Sequence, residues 1–202
     1  MSKVVLRGGV EIETPFDVAL AFLRAYARDE VVDVSGADSF DERDLRLANR
    51  GGARISAAEI AAILARRLEI ERALSEIRFD ASLAGPASSI PWSELTALFE
   101  TFAEIRGVGF SKMTKALHRK RPALIPMLDS IVQAYLAGDD DGTESPESFG
   151  ERATALVRSY KRDLDANRTA LRAVQHELES RGYRITEVRL LDLLIWSAFV
   201  AD

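Results

Sequence analysis

The sequence contains no cysteine and only two histidines among its 202 residues. Without thiols the chain forms no disulfide, no thiolate zinc site and no iron–sulfur cluster, and it has no cysteine nucleophile. Two histidines are too few for a histidine-rich metal site. We therefore expect a protein that holds no metal ion and no other cofactor.

Long apolar runs are also missing. No window approaches the roughly 18 uncharged apolar residues of a membrane-spanning helix. The first residues, MSKVVLRGGVEIET, lack the apolar run and cleavage site of a signal peptide. These absences predict a cytoplasmic protein without membrane contact. A hydrophobic content of 47% with 29% charged residues is ordinary for a globular protein, and the length fits one domain over residues 1–202.

Helical patterns cover most of the chain and strand signals are sparse, so the sequence predicts a compact all-α fold. The first helix opens at Thr14-Pro15, where a capping residue precedes a proline. A short extended piece is predicted at residues 31–34. The other predicted helices cover Asp41 to Ala48, Ser56 through Leu74, Pro91 to Ile105, Ser111 to His118, Ile131 to Leu136, Arg152 to Leu164, Asn167 to Ser180 and Thr186 to Val200.

Apolar spacing predicts which side chains of these helices face inward. In the helix that a Ser56-x-x-Glu59 capping box opens, the inward set is Ile60, Ile63, Leu64, Leu68 and Leu74. The last helix is apolar nearly all round and should be buried. Trp92 and Trp196 lie on apolar stripes and are predicted core residues. Asp192 interrupts the last helix, and we expect a structural pair with Arg189 more than a role in a site.

Charge is distributed unevenly in a chain whose formal net charge is −5. From Ile105 through Leu128 there are six lysines and arginines and no acid, whereas residues 129–150 contain six acids and no lysine or arginine. The stretch 138–148, GDDDGTESPES, reads as an acidic linker. Its three aspartates can hold a hard cation in principle, but such a loop is usually only solvated.

The basic stretch contains a helix, a Gly107-Val108-Gly109 turn and a second helix, which together form a helix-hairpin-helix motif within residues 91–135. Glycines permit tight turns, and the amides that begin the second helix favour an anion. Lys112, Lys115 and Arg119 share one face of that helix at i, i+3 and i+7. The candidate phosphate-binding residues are Gly107, Gly109, Ser111, Lys112, Lys115, Arg119, Lys120 and Arg121. The alternative is a helix-ending glycine followed by a solvated basic face.

Gly107-Val108-Gly109, followed by Pro126-Met127-Leu128-Asp129, resembles the motif of helix-hairpin-helix DNA base-excision glycosylases. Ile125-Pro126-Met127-Leu128-Asp129 is especially similar to the adenine-specific mismatch members. The resemblance implies a hairpin that contacts the DNA backbone and an aspartate, Asp129, that assists loss of an extruded base. Bifunctional members carry a Schiff-base lysine where this sequence has Ser111, so the resemblance implies a monofunctional enzyme that uses water.

A second resemblance covers residues 30–200. The segments Lys115 to Pro126, Asp129-Ser130 and Val188 to Trp196 are similar to those of a family of uncharacterised proteins from high-GC bacteria. This family is described only as a domain of unknown function. The resemblance implies a shared helical fold and brings no activity.

Asp129 is the candidate catalytic residue. A carboxylate that faces the sugar would stabilise the positive charge that develops as the bond to the base breaks. Asp129-Ser130 also stands where the N-cap of the next helix belongs, and the two roles are compatible. His118 is expected at a surface or helix end and not as a general base.

Three functions remain open at the level of the sequence. The first is a monofunctional DNA glycosylase with Asp129 as its carboxylate. The second is a DNA-binding domain without catalysis, in which Lys112 and Lys115 contact phosphates. The third is a helical protein-interaction domain that meets a protein partner through the acidic loop or the basic helix. A deep pocket at Asp129 would favour the first function.

Overall fold

The computed structural model describes residues 3–26, 36–137 and 147–200. The extended piece predicted at 31–34 and most of the acidic linker predicted at 138–148 lie outside these residues. The described chain is mainly helical, which confirms the predicted all-α class. In order, its helices are α1 (Pro15–Tyr26), α2 (Glu42–Arg50), α3 (Ala57–Ala65), α4 (Arg67–Ser75), α5 (Trp92–Glu100), α6 (Phe110–His118), α7 (Ser130–Leu136), α8 (Phe149–Ala166), α9 (Arg168–Ser180) and α10 (Glu187–Phe199).

A small two-stranded sheet precedes the helices, and the sequence did not predict it. Strand β1 (Val4–Val5) pairs antiparallel with β2 (Glu11–Ile12), and Val4 lies opposite Ile12. Two residues a strand are too few for a recognisable alternation. The side chain of Asn167 holds β1 against the end of α8, because its oxygen accepts from the Val5 amide and its nitrogen donates to the Val5 carbonyl.

Helix α10 is the centre of the molecule, as its apolar composition predicts. It packs against α1, α7, α8 and α9. Every residue from Leu190 to Ile195 is buried, including the charged Asp192. Helices α4, α5 and α8 form a second layer, and α2 packs against α3 and α6. This arrangement places the start of α7, the end of α1 and the exposed side of α6 around one face of α10.

Capping residues define the helix starts that position this face. Asp41 and Asp44 form a capping box at α2, and Ser56 and Glu59 form another at α3, as predicted. Asp129 caps α7 by accepting from the amides of Ile131 and Val132. The side-chain oxygens replace helical acceptors that the first amides lack.

The long helix predicted from Ser56 is divided in two, and Leu68 does not face inward. The backbone leaves helical geometry at Arg66, with φ −99° and ψ 13°. The side chain of Leu68 is 80% exposed. Helix α4 buries Ile70 and Leu74, which are four residues apart. Leu68 is two residues from Ile70 and therefore lies on a different side of the helix.

Helix α5 is also shorter than predicted. It ends at Glu100, and the chain continues through turns to Gly109. Phe102 and Ile105 are buried, as the apolar stripe predicts, but they belong to these turns.

Candidate functional site

Helix α6 has two different sides, as its pattern predicts. Met113, Ala116 and Leu117 are fully buried against the core. Lys112, Lys115 and Arg119 are partly exposed on the opposite side. The amphipathic pattern therefore places three cations along one edge of the molecule.

The turn before α6 requires glycine at position 107 for two reasons. Gly107 has φ +84°, a conformation that residues with a Cβ adopt rarely. A Cβ at this position would also lie 2.3 Å from Oε1 of Glu59. Gly109 differs, because its φ of −97° suits any residue and a Cβ there would meet nothing within 4 Å. The surface in front of the first turn of α6 is therefore open.

Glu59 occupies the space between the Gly107 turn and Lys112. Its Oε1 accepts a hydrogen bond from Nζ of Lys112 at 2.6 Å, and its Oε2 accepts from the Ser56 amide at 2.8 Å. These two contacts, the lysine first, hold the pKa of Glu59 below its usual value. The carboxylate thus offsets the charge of Lys112 and connects the turn to the start of α3.

Two concave surfaces meet beside this turn. The first, called the groove below, has a volume of about 530 Å³ and extends along the start of α6. Its lining residues include Arg54, Gly107, Gly109, Ser111, Lys112 and Ser130. The second, called the cleft, has a volume of about 390 Å³ and lies between α1, α2, α6 and α10. Gly52, Lys115, Asp129 and Trp196 line both, so the groove and the cleft are adjacent.

The cleft combines cations with apolar walls. Arg50, Lys115, Arg119 and Arg189 bring positive charge to it from α2, α6 and α10. Phe22 and Trp196 supply aromatic surface, with their rings edge to face and their centroids 5.5 Å apart. Trp196 therefore lines the cleft, contrary to the prediction that it belongs to the core. Such a mixture suits a ligand with a flat apolar part and a negative charge.

Asp129 lies where the groove meets the cleft. Its Oδ1 accepts from the amides of Ile131 at 3.1 Å and Val132 at 3.0 Å. Its Oδ2 accepts no hydrogen bond from the residues that the structure describes. The N-cap role predicted for Asp129 is therefore present, and it uses one of the two carboxylate oxygens.

Asp192 is the second acid of the cleft, and its side chain is almost fully buried. Its Oδ2 accepts from the Met127 amide at 3.1 Å. Burial raises the pKa of Asp192 to about 7, against the opposing effects of the Arg189 charge and the Met127 amide. The sequence favoured a structural pair with Arg189 over a role in a site. The signal for the cleft was the i, i+4 spacing of Asp192 and Trp196, which places both on one face of α10.

Lys120 and Arg121 lie inside the protein and not beside the other candidate phosphate-binding residues. Lys120 is 3% exposed and pairs with Asp44 at 2.7 Å. The guanidinium of Arg121 is fully buried and donates to the carbonyls of Ala37, Leu74 and Ile77. These side chains connect α2 and α4 to the end of α6, so they are directed away from the groove and the cleft.

His118 is the last residue of α6, as expected, but it is buried and not at the surface. Its Nδ1 lies 2.6 Å from the Ile125 carbonyl. Burial, with the nearby charge of Arg189, lowers the pKa of His118 to about 4. The ring is therefore neutral near pH 7 and holds the loop that leads to Asp129.

The described parts of the chain contain no cluster of three or more histidine, aspartate or glutamate side chains able to hold a metal ion. Within the same residues no helix is long and apolar enough to cross a membrane.

Comparison with known proteins identifies a family but no characterised relative. A search of curated proteins gave no match, and a search of solved structures gave none either. The model of a family of unknown function, DUF6308, matches residues 26–199, which cover α2 to α10 and therefore the groove and all of the cleft except the wall that α1 contributes. The chain belongs to this family of unknown function.

Proposed function

We propose that this protein binds DNA, with the Gly107 turn and α6 on the phosphate backbone and the cleft as a pocket for an extruded base. The observation that supports this proposal is that the groove and the cleft are adjacent and share four lining residues. The groove presents helix amides and lysines, the cleft presents aromatic walls, and Lys115 and Asp129 belong to both. A backbone contact beside a base-sized pocket is what binding of an extruded nucleotide requires.

In this proposal α5, the Gly107 turn and α6 act as a helix-hairpin-helix. The first amides of α6 have no helical acceptor and would donate to a phosphate across the open surface at Gly109. Lys115 and Arg119 would add charge along the same edge. Lys112 would join them by exchanging Glu59 for a phosphate. Lys120 and Arg121 have no part in this surface, because they are buried in contacts within the protein.

The cleft suits a base in size and in character. Its volume of about 390 Å³ falls in the range of roughly 300–1,000 Å³ that is typical of small-molecule sites. The side chains of Phe22 and Trp196 offer surfaces on which a flat ring can pack. An extruded nucleotide would place its base in the cleft and its phosphates near Lys115 and Arg119.

The proposal assigns Asp129 a catalytic role in cleavage of the N-glycosidic bond. Asp129 lines both the groove and the cleft, at the junction where the sugar would lie, and the α7 cap uses only its Oδ1. A carboxylate there would stabilise positive charge on the sugar and orient a water molecule for attack. Water would add to the sugar carbon as the bond to the base breaks, and the base would leave with a proton.

Binding to fluorescent duplex DNA at about 50 mM and 200 mM salt tests the first part of the proposal. The wild type, Lys115→Glu and Arg78→Glu form the comparison. Both variants reverse one charge, but the side chain of Arg78 is 83% exposed and lines neither concave surface. We expect Lys115→Glu to weaken binding roughly tenfold and to lower the salt slope by about 1, and Arg78→Glu to match the wild type.

Two outcomes of that measurement contradict the proposal. No binding by the wild type at the lower salt concentration would exclude DNA as the ligand and favour a protein partner. Equal losses in Lys115→Glu and Arg78→Glu would show a general charge effect and no defined site.

The catalytic part needs a separate assay. Duplexes that carry single mismatched or damaged bases are incubated with the wild type and with Asp129→Asn, and release of the base is measured. Asparagine keeps an oxygen for the α7 cap, so we expect the variant to bind as the wild type does and to release no base. Binding without release by the wild type would leave a DNA-binding domain without this activity.

A further inference from the structure

Asp192 lines the cleft and has hydrogen-bonding capacity that the described residues leave unused. This side chain is 2% exposed and lines the cleft from α10. Its Oδ2 accepts from the Met127 amide, but its buried Oδ1 has no hydrogen-bond partner among the residues that the structure describes. Buried polar atoms without a partner are uncommon and need a physical explanation, because desolvation is not compensated.

The neighbours of Asp192 do not supply that partner. The hydroxyl of Tyr160 on α8 lies close enough to Asp192 to lower the pKa of that carboxyl group, but its single hydrogen is donated to the Val188 carbonyl at 2.6 Å. Nη1 of Arg189, one turn earlier on α10, lies 3.5 Å from Sδ of Met127. The charge of Arg189 lowers the pKa of Asp192, and the charge of Asp129 at the start of α7 raises it. The described residues thus leave Oδ1 without a hydrogen-bond partner, and because Asp192 lines the cleft, a group that reaches Oδ1 from the cleft would satisfy it.

We propose that Asp192 determines which base the cleft accepts, by a hydrogen bond from a protonated Oδ1 to an unprotonated ring nitrogen. This inference rests on the proposed function. The Watson–Crick ring nitrogens of adenine and cytosine are acceptors, whereas those of guanine and thymine carry hydrogen. A neutral carboxyl group donates to the ring nitrogen of adenine or cytosine. Against guanine or thymine its O–H would face the ring N–H, which is also a donor. Adenine and cytosine are thus the preferred bases.

The protonation of Asp192 supports this assignment. Burial favours the neutral acid and raises the pKa of Asp192 to about 7. Below that pH the carboxyl group donates to a ring nitrogen, and above it the carboxylate only accepts. The Arg189 charge favours ionisation, while the Asp129 charge and burial oppose it. Preference for adenine and cytosine should therefore be strongest in mildly acidic solution and decline as the pH rises.

The test uses duplexes with one unpaired adenine, cytosine, guanine or thymine, and a fully paired duplex of matching sequence. Binding is measured at pH 6 and pH 8.5 for the wild type, Asp192→Leu and Asp192→Asn. Leucine removes the hydrogen bond and keeps an apolar side chain of similar size. Asparagine keeps one acceptor for the Met127 amide and supplies an N–H donor whose protonation does not change.

We expect the wild type to prefer unpaired adenine and cytosine roughly tenfold at pH 6, a typical effect of one specific base contact, and to lose this preference at pH 8.5. Asp192→Leu should show no preference at either pH, and Asp192→Asn should keep it at both. All three should bind the fully paired duplex equally. Asp192→Asn also serves as the test if the leucine variant does not fold.

Two results would overturn the inference and leave the proposed function intact. One is binding of all duplexes by the wild type without base preference, and the other is a preference that Asp192→Leu retains. Absence of binding even to the paired duplex would overturn the proposed function and this inference together.

Discussion

Two groups of cations follow one another along the chain and lie in opposite environments. Lys115 and Arg119 line the cleft, whereas Lys120 and Arg121, the next basic residues, are buried against α2 and α4. Helix α6 ends at His118, and the chain then turns inward. Helical spacing assigns residues to a face only within the helix. A continuous basic run can therefore line a cleft in one half and support the fold in the other.

The largest expected effect on stability comes from a substitution in the buried half of the basic run. Arg121→Met removes the donors of the buried Leu74 and Ile77 carbonyls and of the carbonyl of half-buried Ala37. Unsatisfied buried carbonyls are costly, so we expect the free energy of unfolding to fall by roughly 3–5 kcal/mol. Urea unfolding gives this value. The matched control is Arg78→Met, which removes an exposed guanidinium and should change stability by less than about 0.5 kcal/mol. Similar losses in both variants would show that the buried guanidinium of Arg121 contributes no more to stability than the exposed one of Arg78.

Lys120→Met should have the next largest effect, because it removes the lysine that pairs with the buried Asp44 carboxylate. We expect a loss of about 3 kcal/mol in the free energy of unfolding. The double variant Lys120→Met/Asp44→Asn removes both charges and keeps an oxygen for the Asp41 amide. Its loss should be smaller than the sum of the two single losses. An additive double variant would contradict the pairing.

Two buried titratable groups extend the comparison to pH. The pKa of His118 is lowered to about 4 and that of Asp192 is raised to about 7, in both cases mainly by burial. As the pH falls below 7, His118 takes up a proton in the unfolded state first, which lowers stability. Asp192 takes up a proton in the folded state first, which raises stability. Between pH 7 and pH 5 each contribution changes by about 2 kcal/mol, so the two nearly cancel.

Asp192→Asn should reveal the contribution of His118. From pH 7 to pH 5 this variant should lose about 2 kcal/mol of unfolding free energy relative to the wild type. Urea unfolding at the two pH values measures the difference. Asp129→Asn makes the same change of charge at a partly exposed acid and should follow the wild type. If the stability of both variants changes alike with pH, burial does not determine the pKa of Asp192.

The smallest effect on stability is expected in the half that lines the cleft. Among the residues that the structure describes, Nζ of Lys115 makes one long hydrogen bond, 3.4 Å from the Gly52 carbonyl. Lys115→Glu should therefore change the free energy of unfolding by less than about 0.5 kcal/mol, while it weakens DNA binding as described above. Substitutions in the buried half of the basic run would then lower stability, and substitutions in the half that lines the cleft would weaken binding. A large loss of stability in Lys115→Glu would remove that distinction.

Local signals predicted much of the fold. The capping residues Asp41, Ser56 and Asp129 mark helix starts that the structure contains, because a cap depends on neighbouring amides alone. The predictions that were wrong depend on contacts between residues far apart in the chain. Leu68 and the break at Arg66 depend on how α4 meets α5, where the Arg66 side chain donates to the Thr101 carbonyl.

The candidate site was predicted only in part. The sequence identified the Gly107 turn, the exposed edge of α6 and the cap at Asp129. It did not indicate that Arg50 and Phe22, from distant helices, line the same cleft. Neither did it indicate that Trp196 lies at the cleft or that Asp192 is buried there with an unsatisfied oxygen. Such features depend on contacts between residues far apart in the chain.

The sequence by itself determined the helical class, most helix starts, the burial of α10 and the concentration of cations before Asp129. Those properties follow from spacing, capping and composition, which act over a few residues. Only the tertiary structure decided which cations line the cleft and which hold the core together. It also decided that Glu59 meets Lys112, which lies 53 residues away in the chain. The physical reason is that burial and charge pairing depend on which helices pack together, and local spacing carries no information about that.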